Sequence, residues 1–174
     1  SVDNSTNKDP SPASFNWKVD TIAPTTIINS AIDGNNSTIT NSSNTKSNAV
    51  MFDFSGNDTG GVGIDHLECS LDGTSFSACT SPVQFTSTNL LDGTHSFMVI
   101  AQDKVGNMMT APVLFNWTVD TLPPTTAINT AIDGNNGTLV SGNSTMSTSM
   151  SFTFSGNDRG LENNGVGIKQ IECS

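Results

Sequence analysis

The sequence predicts an all-β chain of tandem sandwich domains, with about seven strands in each complete domain. Three observations predict it. Blocks of residues return after about 100 positions, which is a domain-sized period and far longer than a solenoid unit. Short stretches alternate apolar and polar residues, and none keeps the 3.6-residue period of a helix. Turn-forming residues punctuate the chain roughly every 8 to 12 positions.

The repeat sets the boundaries. Phe15-Asn16-Trp17 returns as Phe115-Asn116-Trp117, and Val19-Asp20-Thr21 as Val119-Asp120-Thr121. Ala31-Ile32-Asp33-Gly34-Asn35-Asn36 returns at 131–136, and Phe52, Phe54, Ser55, Gly56, Asn57 and Asp58 return at 152–158. Gly61-Val62-Gly63-Ile64 returns at 165–168, so an insertion around Leu161-Glu162-Asn163-Asn164 marks a tolerant loop. Residues 1–20 are therefore expected to be the C-terminal strands of a preceding repeat. Residues 21–120 make one complete domain, and 121–174 the N-terminal half of the next. Pro24 and Pro123-Pro124 stiffen each joint by fixing φ.

Within 21–120 the elements follow in order. Thr25 to Asn29 is the first strand, and Val50, Phe52 and Phe54 alternate as the second. Leu67, Cys69 and Leu71 alternate as the third; Asp72-Gly73 is a hairpin signal, and Ser75 to Cys79 returns beside it. Val83 and Phe85 form the next strand, and Asp92-Gly93 is another turn. His95, Phe97, Val99 and Ala101 alternate, as do Val113, Phe115, Trp117 and Val119. Seven short strands in one such repeat read as an immunoglobulin-like sandwich. The abundant Ser and Thr take the outward positions.

Composition narrows the function. Lys plus Arg is 6 against 16 Asp plus Glu, a net charge of −10. Nucleic acid and anionic membrane surfaces both call for a basic face, so neither is expected as a partner. No apolar run approaches the roughly 20 residues of a membrane span. No Gly-x-Ser-x-Gly, His-Glu-x-x-His or phosphate loop occurs, and His66 and His95 fall on different strands, so catalysis is not expected. Phe15, Trp17, Phe52, Phe54, Phe97, Phe115 and Trp117 all keep the core phase, and the chain has no Tyr. That disfavours an aromatic sugar-binding platform and leaves protein contacts open.

Cys69 and Cys79 flank the hairpin at Asp72-Gly73, where a disulfide fits; free thiols are the alternative, and a structural zinc lacks its other ligands. Cys173 repeats Cys69. A disulfide implies an oxidising, extracytoplasmic setting. Asn-x-Ser/Thr sequons occur at Asn4, Asn35, Asn36, Asn41, Asn57, Asn116, Asn136 and Asn143. Of these Asn36, Asn41, Asn136 and Asn143 lie in polar stretches between strands, where a glycan fits. A chain so rich in Asn, Ser and Thr also makes sequons by chance.

The run Glu68-Cys69-Ser70-Leu71-Asp72-Gly73, with Phe76, Cys79-Thr80-Ser81-Pro82-Val83, Leu91-Asp92-Gly93-Thr94-His95, Asp103, Gly106-Asn107 and Trp117-Thr118-Val119-Asp120-Thr121, resembles the Big-type immunoglobulin-like repeats of large bacterial and archaeal cell-surface proteins. The resemblance covers the whole chain in three registers. It implies a structural segment of a long extracellular repeat protein: filament, adhesin stalk or surface layer. The alternative is a sugar- or protein-binding accessory module of a secreted protein. Partners implied are copies of itself or neighbouring repeats. The first segment departs from the pattern: Asp3-Asn4-Ser5-Thr6-Asn7 lacks the glycine at position 6, which predicts a looser turn there.

Strand order brings the 58–63 loop and the 103–107 loop to the pole where Asp20 enters the domain. Asp20, Asp58, Asp103 and Asn107 then converge with few cations to pair them, and Ca2+ suits such oxygen ligands. Related surface repeats often bind calcium at their joints, and these are the matching positions. Asp120 and Asp158 repeat the first two at the next joint, and Asp3 and Asn7 repeat the last two in the preceding repeat. The competing reading is that these are turn residues only, as the Asp-Gly pairs at 33, 72, 92 and 133 are expected to be. The half repeat 121–174 lacks the strands that should cover Phe152 and Phe154. It is read as an excerpt of a longer array, with strand donation from residues 11–20 of a neighbouring copy as the alternative.

Overall fold

The structure is a computed structural model and describes residues 1–158 and 167–173. Its regular elements among those residues are all strands, with no helix. They are β1 (Thr25–Asp33), β2 (Ser43–Thr45), β3 (Val50–Asn57), β4 (Ile64–Leu71), β5 (Ser77–Cys79), β6 (Val83–Phe85), β7 (Gly93–Asp103), β8 (Val113–Val119), β9 (Thr125–Asp133) and β10 (Met150–Asn157). One sheet runs β1-β3-β6 and a second β2-β8-β7-β4-β5. Neighbours are antiparallel except β2 and β8, which are parallel. β9 and β10 form a separate antiparallel pair.

The alternating residues face inward as a period of two requires. Val50, Phe52 and Phe54 of β3 meet Phe97 and Val99 of β7 and Phe115, Trp117 and Val119 of β8 in one core. Phe52 stacks on Phe97 with ring centroids 4.4 Å apart and meets Phe115 and Trp117 at 5.3 Å each. Phe52 comes from the first sheet and its partners from the second, so this aromatic cluster joins the layers. Burying each such ring contributes roughly 1.5–3 kcal/mol.

Two features of this fold depart from the sequence reading. β1 runs on to Asp33, because a register shift between Ile28 and Ser30 resets the alternation partway along. β2 is an additional strand: Ser43-Asn44-Thr45 has no apolar alternation and pairs with Trp117-Thr118-Val119 of β8. The hairpin between β4 and β5 turns at Asp72 (φ 51°) and Gly73 (φ 73°), and Cys69 and Cys79 are joined by a disulfide across it. Cys173 is an exposed free thiol.

Copies of one sequence take different structures at the two ends. Residues 11–20 repeat β8 yet form no strand, and Trp17 is 74% exposed where Trp117 is 1%. β9 and β10 repeat the pairing of β1 and β3, yet Phe152 is 52% exposed where Phe52 is 0%. Residues 168–173 repeat part of β4 but are not a strand. The insertion at 161–164, and Gly165 and Val166 of the repeated motif, lie outside the described residues.

Among the described residues one loop form recurs four times, at Asp3–Asn7, Asp33–Ser37, Asp103–Asn107 and Asp133–Gly137. In each the Asp carbonyl accepts from the amide three residues on, at 2.9–3.2 Å, and that residue has positive φ: Thr6 68°, Asn36 60°, Gly106 94°, Asn136 62°. One carboxylate oxygen of the Asp accepts the amides two and four residues on, at 2.8–3.0 Å. The turn at Thr6 is thus as tight as its glycine counterpart, contrary to expectation. The same hydrogen bonds hold a β-branched residue in the left-handed region.

Candidate cation site at the entry to β1

β3 ends at Asn57, β4 begins at Ile64, β7 ends at Asp103, and Ile64 lies opposite Asp103 across the β4–β7 ladder. The 58–63 loop and the 103–107 loop therefore share one pole. Thr25 pairs with Asn57, so the segment leading into β1 arrives at the same place. Oxygens of Asp20, Asp58 and Asp103 lie within 4.8 Å of one another.

Each carboxylate is oriented by hydrogen bonds. Asp20 Oδ1 accepts from Ile22 N (3.0 Å) and Oδ2 from Val62 N (2.6 Å), which ties the entering segment to the 58–63 loop. Asp58 Oδ2 accepts from Gly63 N at 2.7 Å. Asp58 Oδ1 is buried and has no hydrogen-bond partner. Asp103 is 2% exposed. Burial raises its pKa, but hydrogen bonds from the Asn107 side chain, then from the amides of Asn107, Val105 and Gly106, outweigh that and hold it below the ordinary 3.8. Asn107 takes a different place from the three acids. Its Nδ2 donates to Asp103 Oδ2 (2.7 Å) and to the Asp20 carbonyl (3.2 Å), so it braces the cluster from behind.

Two neighbours have no clear signal in the sequence. A side chain at Gly61 would collide with both Asp58 carboxylate oxygens, so only glycine lets Asp58 fold over its own loop. Lys18 Nζ donates to the Gly61 carbonyl. Among the described residues, none of the three acids is ion-paired to a lysine.

The donor set suits a hard cation: three carboxylates, no sulfur or imidazole, and one buried oxygen left unmatched. Three carboxylates fill part of the roughly six to eight oxygen positions Ca2+ takes, leaving the rest to carbonyls or water. Asp103 is also needed for another reason. Asp3, Asp33 and Asp133 make the same loop hydrogen bonds with no acidic triad around them among the described residues. Asp58 and Asp20 are therefore the residues diagnostic of a cation.

The second joint is only partly comparable. Asp120 Oδ1 accepts from Leu122 N at 3.2 Å, as Asp20 does from Ile22, and Asp158 is half-buried after β10. They join no triad among the described residues. Asn36, Asn41, Asn136 and Asn143 are all exposed; Asn41 Oδ1 also accepts from Asn116 N at 2.7 Å, tying the β2 loop to β8.

The Asp-Gly pairs are turns with further duties. Asp33 is buried, and its Oδ2 accepts from Thr45 Oγ1 of β2 at 2.6 Å. Asp72 accepts from Ser96 N and contacts His95 Nδ1 at 2.7 Å, and Asp92 accepts from Thr121 N and Oγ1. The signal for Asp33 was present in the sequence: its loop has the spacing of the Asp103 loop.

No family model matches the chain, and no curated protein matches it.

Proposed function

We propose that the chain is a structural segment of a long extracellular repeat protein, built of tandem immunoglobulin-like domains whose joint is pinned by Ca2+. The observation that carries this reading is the meeting of Asp20 with Asp58 and Asp103. Asp20 belongs to the segment between repeats, and the other two belong to loops of the repeat that follows. A cation shared among them would hold the linker against the domain and convert a swivel into a fixed angle. Asp20, Asp58 and Asp103 would supply its carboxylate ligands, Asn107 would hold Asp103 in place, and the ion would supply charge neutralisation. The Cys69–Cys79 disulfide and the exposed sequons are consistent with an oxidising exterior. The 100-residue period and the stiff proline joints suit a filament, adhesin stalk or surface layer.

Calorimetric titration with Ca2+ tests this directly. The expected result is a single site on the full chain with an affinity in the roughly 10⁻⁴–10⁻³ M range of extracellular modules. Loss of the heat in Asp58→Asn would assign it to the triad; an unchanged heat in that variant, or none in the parent, would overturn the cation role.

A further inference from the structure

We propose that His95 is a buried imidazolium that clamps the far pole of the complete repeat, and that loss of its proton loosens the segment leading into the next repeat. The inference goes beyond the cation reading: it concerns the exit of the domain, and a calcium titration that fails leaves it untouched.

His95 lies on β7 opposite Trp117 of β8 and is buried. Both ring nitrogens face oxygen acceptors at short range. Nδ1 is 2.7 Å from Asp72 Oδ2, and Nε2 is 2.7 Å from the Leu91 carbonyl oxygen. A carbonyl oxygen can only accept, and so can a carboxylate. A neutral ring carries one N–H, so it would set a lone pair against one of these oxygens. The imidazolium donates to both. The Trp117 ring supports the charge: its centroid is 5.4 Å from that of His95 with the planes 32° apart, within the reach of a cation over an indole face. Trp117 Nε1 is buried without a hydrogen-bond partner, so it uses no lone pair of the ring. The elements that meet here bring acids: Asp72 from the turn after β4, Asp92 from the loop before β7 and Asp120 after β8. Lys46, just past β2, acts on Asp33.

The clamp holds three pieces of chain together. Asp72 Oδ1 accepts from Ser96 N at 2.8 Å, and Asp72 N donates to the Ser96 carbonyl, which fixes the β4–β5 turn to β7. Leu91 is next to Asp92, whose Oδ1 accepts both the amide (3.0 Å) and the hydroxyl (2.9 Å) of Thr121 in the joint. The carbonyl that His95 holds is thus one peptide away from the side chain that holds the joint. Loss of the ring proton forfeits one of the two bonds and leaves a buried lone pair facing an oxygen. The 91–92 peptide then turns away, and Thr121 loses its anchor. The stabilisation is present while the ring is charged and is lost as pH rises through the folded-state titration.

An NMR titration tests it. In a His66→Gln background the chain has a single imidazole. Across about pH 5 to 9, with the fold intact, the His95 ring should carry protons on both nitrogens at the acid end and on one at the alkaline end. The Thr121 amide shift should move with the same midpoint. In His95→Gln, whose side-chain amide does not titrate, the Thr121 amide should stay flat over that range. If that variant does not fold, the ring and the Thr121 amide of the His66→Gln protein decide by themselves. A ring that stays singly protonated down to the pH at which the domain unfolds would overturn the proposal. So would a Thr121 amide that does not follow the ring, or one that titrates equally in His95→Gln.

Discussion

Replacing Asp58 by Asn separates a cation site from a cluster of turn residues, because the two readings predict opposite responses. Asn keeps the oxygen that accepts Gly63 N at 2.7 Å, so the loop is preserved. It removes one of three carboxylates packed within 4.8 Å and gives the buried position of Asp58 Oδ1 a group that can donate toward its acidic neighbours. In chelator the variant should therefore melt above the parent, since like charges no longer face each other. In Ca2+ the order should reverse. A ligand that binds only the folded state stabilises by mass action. At 10 mM Ca2+ and a dissociation constant of about 10⁻⁴–10⁻³ M, the gain is about 1.4 to 2.7 kcal/mol. For a domain of this size that corresponds to a rise of roughly 6–20 °C in the parent's midpoint. The assay is thermal unfolding of both proteins in chelator and in Ca2+, with Mg2+ as the comparison ion. A parent midpoint that does not move with Ca2+, or an Asp58→Asn midpoint that moves equally, would refute the reasoning. Asp103→Ala is a poorer test, because it also unties a loop that exists without any cation elsewhere in the chain.

Further outcomes follow from the same geometry. Asp33→Ala should cost about 3 kcal/mol in urea unfolding at pH 7, because the buried Thr45 hydroxyl loses its charged acceptor while the exposed amides recover water; Asp133→Ala, in the same loop left open, should not move the main transition. Burial raises the Asp33 pKa, but hydrogen bonds from Thr45, Ser37 and Asn35, aided by the charge of Lys46, hold it below the ordinary 3.8. That stability is thus complete above about pH 4 and lost as pH falls through the lower folded value, so the gap between parent and Asp33→Ala should close in acid. Reducing the Cys69–Cys79 disulfide, which links residues 10 apart, should cost about 2–3 kcal/mol, read as a lower urea midpoint in Cys69→Ser/Cys79→Ser; an unchanged midpoint would contradict it. The His66 ring, held above its ordinary 6.5 chiefly by the Asp65 carboxylate with help from Glu68, should titrate above that value by NMR and drop back in Asp65→Asn. Its contribution is present below pH 6.5 and fades as pH rises through the folded value.

What the sequence made legible is what a period of two encodes. β3, β7 and β8 place Val50, Phe52, Phe97, Val99, Phe115 and Trp117 inward because their alternation is unbroken. β1 is longer than its alternation suggests because the irregularity after Ile28 swaps faces, so that Thr26 and Ala31 are both buried although their offset along the strand is odd. β2 left no trace, since Ser43-Asn44-Thr45 is a strand only through pairing with β8. For the site, strand order sufficed to bring Asp20, Asp58 and Asp103 to one pole. It could not show that Asn107 presents its amide nitrogen rather than its oxygen, nor that Gly61 is required by the fold of Asp58. Those are facts of rotamer and close approach, which spacing does not carry.

The two ends of the chain show which of these strands depend on neighbours. β9 and β10 repeat β1 and β3 and pair in the same register, and the Asp133 loop repeats the hydrogen bonds of the Asp33 loop. The Ile168–Cys173 segment repeats Ile64–Cys69 and is not a strand, and Phe15-Asn16-Trp17 repeats part of β8 and is not a strand either. In the complete repeat β4 and β8 lie on either side of β7. The same residues are therefore strand beside β7 and irregular without it. The apolar alternation of 13–19 is a potential that a partner must realise, and intrinsic preference alone does not hold it extended in a sheet.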